Sequence, residues 1–158
     1  MPLQVVDSEK PLSEKEIAAL EKKIGHRLPS GYRSFLATYN GGYAQGENAF
    51  RYKLQSGPYT DSRLNHLFSL NDDYGSLDKM YLRMSKAGRT PKNLFPIAND
   101  AFGNLICISL SGKDTSSVYF WDHENEPEDE DTEFRNIHLI ADSWEEFING
   151  LVTPESLM

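Results

Sequence analysis

The run LICISL at 105–110 constrains this chain more than any other segment. In a strand, Leu105 and Cys107 fall on one face and Ile106, Ile108 and Leu110 on the other, because successive side chains alternate. Both faces are apolar. A strand of that kind belongs in the middle of a sheet with cover on at least one side. Ser111-Gly112-Lys113-Asp114 is rich in turn formers, and SVYFWD at 117–122 follows it, so the two segments form a hairpin with a longer loop at the centre of the fold.

Helices flank this centre. Ser13-Glu14-Lys15-Glu16 is a capping box, with Leu12 and Ile17 placed for a hydrophobic staple and Gly25 as the terminator. Ile17, Leu20 and Ile24 share one face. Pro29 opens a second helix with Tyr32, Phe35, Leu36 and Tyr39 at helical spacing, ended by Asn40-Gly41-Gly42. Ser76 caps a third, striped by Leu77, Met80, Tyr81 and Met84. Ser143-Trp144-Glu145-Glu146 opens a last helix on which Trp144, Phe147, Ile148 and Leu151 face inward.

Strands are expected over 49–54, around His66-Leu67-Phe68, over 94–98 and over 135–141, with a polar loop across 55–63 and a turn across 99–104. The order of elements fits an α+β fold: one compact domain spanning 1–158, with a mixed or antiparallel central sheet packed by amino- and carboxy-terminal helices.

The chain is long enough for a real core, and its 39% hydrophobic content supports one. It has no secretory h-region, no apolar run of membrane-spanning length and a single cysteine, which together read as a cytoplasmic protein. The formal net charge is −8. Eight acids, Asp122, Glu124, Glu126, Glu128, Asp129, Glu130, Asp131 and Glu133, lie in one twelve-residue window without a Lys or Arg. The other 16 acids balance the 16 basic residues, so all the net charge sits there. An acidic surface argues against direct nucleic-acid contact and suits a basic protein partner.

Candidate chemistry is sparse. Asp122-His123-Glu124 offers metal-ligand types, but neighbours on a strand end point apart and no other histidine supplies companion spacing. A capped strand end accounts for the triplet. The window 126–133 lacks the glycine and ligand pattern of a calcium loop. Cys107 sits in an apolar strand with no cation to lower its pKa, unlike a nucleophilic thiol. Gly41, Gly42 and Gly103 match no phosphate-binding pattern and are explained by turns. Trp144 reads as core, whereas Trp121 reads either as core or as an interface residue beside the acids.

Several segments together resemble the SUKH superfamily, named in part after a fungal cell-wall regulator of the Smi/Knr type. They are Leu28-Pro29 with Tyr32, Phe35-Leu36 and Asn40-Gly41-Gly42; then Pro96-Ile97-Ala98, Asp100, Gly103-Asn104 and the hairpin ending in Val118 to Glu124; and finally Ile140 to Phe147. The resemblance is strongest over 12–151, and the dense acids at 126–133 depart from it. It implies a domain without known catalysis. Many bacterial members are thought to be immunity proteins that neutralise nuclease- or deaminase-type toxins, and fungal members act in cell-wall synthesis and signalling.

On that basis the expected activity is protein binding without an enzyme site, cofactor or metal. The partner is a basic toxin domain, with neither nucleic acid nor membrane in contact. The acidic run reads either as a solvated loop or as a docking surface; in the second reading the eight acids would steer association, and Tyr119 or Trp121 would anchor it. The rival readings are a regulatory scaffold in cell-wall synthesis or signalling and, more remotely, a metal-dependent hydrolase.

Overall fold

A computed structural model describes residues 3–126 and 134–158. In chain order the elements are β1 (Leu3–Val6), α1 (Glu14–Ile24), α2 (Ser30–Thr38), β2 (Gly42–Gly46), β3 (Ala49–Lys53), β4 (Tyr59–Leu67), α3 (Leu77–Lys86), β5 (Leu94–Asp100), β6 (Leu105–Ser109), β7 (Val118–Trp121), β8 (Ile137–Ala141) and α4 (Trp144–Asn149). From β3 to β8 each strand pairs antiparallel with the next, and β8 returns to β3 through Lys53↔Leu139. The result is a closed six-stranded barrel. β2 joins it at His66 and Leu67 of β4, whose opposite edge pairs with β5, and β1 extends β2.

All five residues of β6 are buried, as its doubly apolar pattern requires. Phe50, Tyr52 and Phe120 pack together in the core, with the Tyr52 and Phe120 rings stacked at 4.1 Å. Burying an aromatic or branched aliphatic side chain contributes about 1.5–3 kcal/mol. The helices cover the sheet through a second aromatic group. Trp144 of α4 meets Tyr32 and Phe35 of α2 at 5.1 and 5.0 Å, and Phe95 of β5 contacts Tyr32 and Tyr81. Lys23 of α1 bonds the Asp78 carboxylate of α3 at 2.6 Å.

The capping box of α1 forms in both directions, with Ser13 Oγ accepting from Glu16 N and Glu16 Oε1 accepting from Ser13 N. Ser143 Oγ caps α4 through Glu146 N. Ser76 departs from expectation: its hydroxyl accepts from Asn71 N and does not cap α3. Gly41 and Gly42 have φ of 70° and 128°, and a Cβ on either would come within 2.7 Å of a backbone carbonyl or closer.

The sheet is wholly antiparallel, within the mixed or antiparallel expectation, and it closes on itself. Two expectations need correction. Most of the polar loop expected over 55–63 is the first half of β4, which holds its place by pairing with all five residues of β3. β1 and β2 are not among the expected strands, and long-range antiparallel pairing makes them so.

Candidate protein-docking surface

An antiparallel ring with this order places alternate connections at the same end. The β3–β4, β5–β6 and β7–β8 connections therefore leave the barrel together, opposite the β6–β7 turn. The acidic window lies in the β7–β8 connection. Its residues Glu128, Asp129, Glu130, Asp131 and Glu133 fall outside the described residues.

The strand ends in a short 3-10 turn, His123–Asn125. Asp122 caps it: Oδ1 accepts from Glu124 N at 3.0 Å, and Oδ2 accepts from the Asn125 side chain. Asp122 is thus partly occupied by its own backbone, whereas Glu124 is exposed. His123 does not extend the strand away from its neighbours. Its N–H donates to Asn104 Oδ1, and its Nε2 donates to Phe102 O at 2.9 Å, tying this connection to the β5–β6 turn.

Glu126 is held by Arg89, which follows α3. The guanidinium forms a fork, Nη2 to Oε1 at 2.6 Å and Nε to Oε2 at 3.1 Å, and this pairing raises the Arg89 pKa. The Arg89 carbonyl accepts from Trp121 Nε1 at 3.0 Å, and its guanidinium stands 5.3 Å from the Trp121 ring centre. Trp121 is 2% exposed. Of its two readings the core one describes its position, because a ring with no free surface has none to offer a partner. Tyr119 is half-buried, and its hydroxyl donates to Asp114 Oδ2 at 2.6 Å. Burial first, and then the Asp114 carboxylate, push its pKa up to about 12.

The far side of the window is tied to the β3–β4 turn. Gln55 Nε2 donates to the carbonyls of Phe134 and Ile137 at 2.8 and 2.6 Å, and Gln55 N donates to His138 Nδ1. An accepting Nδ1 places the ring proton of neutral His138 on Nε2. Burial lowers the His138 pKa, with nearby Asp122 opposing. Arg89 and Gln55 thus brace the acidic connection from both sides. Neither was singled out from sequence, since each acts on a partner dozens of residues away.

The β5–β6 turn leaves the barrel at the same end. Asp100 is buried, and its Oδ1 accepts from Phe102 N and Asn104 N, both at 2.9 Å. Its Oδ2 accepts from Asn104 Nδ2 and from Ser62 Oγ. Gly103 takes φ 88°, and the Phe102 side chain projects with 70% of the residue exposed. An aromatic in the middle of NDAFGN, where a turn usually carries small or polar residues, is the signal that sequence reasoning passed over.

Among the described residues, no three His, Cys, Asp or Glu side chains are grouped to hold a metal ion. Cys107 is buried, and desolvation raises its thiol pKa far above the usual range. Among the described residues, no helix is long and apolar enough to cross a membrane.

The fold is an α+β barrel domain whose β7–β8 connection carries the acidic window. The profile of the SMI1/KNR4 family (SUKH-1) matches residues 11–150, from α1 through α4, and the chain belongs to that family. It is similar to the SPbeta prophage-derived uncharacterized protein YokK of Bacillus subtilis (strain 168), at 35% identity over 153 residues, covering 89% of this chain and 74% of that protein. The family is not known for enzymatic activity and is commonly immunity-protein-like.

Proposed function

We propose that this chain is a non-enzymatic binding protein of the immunity type, which neutralises a nuclease- or deaminase-type toxin by covering its active surface. One observation carries the reading. The whole charge imbalance lies in a single hairpin connection, held at its described ends by Arg89 and Gln55, at one end of a closed barrel. Toxins that act on nucleic acid present cationic substrate clefts, and a braced acidic connection is complementary to such a cleft. Family membership supports the same reading, and a prophage-derived relative fits a protein that travels with mobile DNA. The encounter takes place in the cytoplasm, where the toxin meets its target.

The test is calorimetry with the product of a toxin-like gene beside this one, at low and at moderate salt. One-to-one binding that weakens as salt rises is the expected result. Absence of binding under both conditions removes the immunity pairing and leaves the family's regulatory role as the next reading to test.

A further inference from the structure

We propose that Phe102 is the apolar anchor of the docking surface, seating in an apolar recess with a cationic rim on a partner protein. This rests on reading the hairpin end as a charge-steered docking surface. Single exposed apolar residues are ordinary on protein surfaces, so exposure alone carries little. Phe102 differs in how it is held. Of the eight phenylalanines six are buried and Phe134 is half-buried, whereas Phe102 is 70% exposed at the tip of a turn.

The backbone under it is fixed at each step. Asp100 takes the amides of Phe102 and Asn104, Asn104 O accepts from Asp100 N, and His123 donates to Phe102 O. At Gly103 a Cβ would lie 3.4 Å from His123 Nε2, so the turn is drawn close to the β7–β8 connection. A ring presented on an already ordered backbone loses little conformational freedom when it docks. Interface anchors are commonly aromatic residues of this kind, and desolvation around them excludes water from neighbouring polar contacts.

The surroundings select the occupant. The residue bonded to the turn, His123, stands between Asp122 and exposed Glu124, at the start of the window that holds the net charge. A partner that buries the ring also faces those carboxylates, so its rim must be cationic. Charge gives the approach, and the ring gives residence time.

The experiment uses the full chain and two synthetic peptides of equal positive charge, one oligolysine and one an amphipathic Lys/Leu sequence. Amide shifts are followed by NMR titration at low salt. The amphipathic peptide is expected to bind about tenfold more tightly, the loss typical of removing one anchor, with shifts centred on residues 101–104 and 122–124. Phe102→Ala should abolish that preference without moving the thermal midpoint, and Phe102→Trp should restore it. A preference that survives in Phe102→Ala, or equal binding of both peptides by the unmodified chain, overturns the anchor alone. If neither peptide binds, the charge-steered surface itself is overturned, and the anchor with it.

Discussion

Arg89 serves two neighbours at once, offering its side chain to Glu126 and its carbonyl to the Trp121 indole. Both charges of the pair are partly exposed, so the pair itself contributes about 0.2–1 kcal/mol. Packing over the Trp121 ring adds a similar amount, about 0.5–1 kcal/mol. Arg89→Ala should therefore cost on the order of 1 kcal/mol in chemical denaturation and shift tryptophan emission to the red. Arg89→Lys keeps the charge but not the fork, and should recover less than half of the loss. His138 makes the second residue-level prediction. Its folded pKa lies below the unfolded value near 6.5, so the unfolded chain binds more protons between the two. Stability is complete above that value and declines as pH falls through the window below it. His66 shifts in the same direction for the same reason, burial. Thermal midpoints measured from pH 7.5 downwards should fall less steeply in His138→Gln; an unchanged slope would assign the decline to His66.

At the scale of elements, two capping devices differ in cost. Ser13 caps α1 at the surface, and Ser13→Ala should lower stability by about 1 kcal/mol. Asp100 is buried and serves four donors, so Asp100→Ala should cost about 3 kcal/mol or more. Urea denaturation of the two variants checks the ordering. What was legible in sequence follows the same division. The α1 box, the end of α1 at Gly25 and the β6–β7 hairpin each depend on residues within a few positions, and each stands where the pattern put it. The first half of β4 was not legible because its inward positions include Ser62 before Leu64 and Leu67, and Ser62 is satisfied there by the distant Asp100. At the docking end the acids were readable as charge. Their bracing by Arg89 and Gln55, and the rigid seat of Phe102, depend on partners that topology brings together.

For the whole molecule, charge is the property that acts at a distance. Under the proposed function, converting Glu128, Asp129, Glu130 and Asp131 to lysine should slow association with a cationic toxin and flatten its salt dependence, with a smaller effect on dissociation. Stopped-flow rates across a salt series measure this, and unchanged kinetics would remove the acidic connection from the encounter. The barrel has one joint unlike the others. Every pairing in the ring from β3 to β8 links strands consecutive in the chain, except the return of β8 to β3 at Lys53↔Leu139, where Gln55 adds side-chain bonds. Local pairings form first because closing long loops costs more entropy. That seam therefore shuts late in folding, and Gln55→Ala should speed unfolding while leaving the folding rate nearly unchanged. During synthesis the same order holds: until residues 137–141 have left the ribosome the ring stays open, and the connection between β7 and β8 lacks its Gln55 bonds.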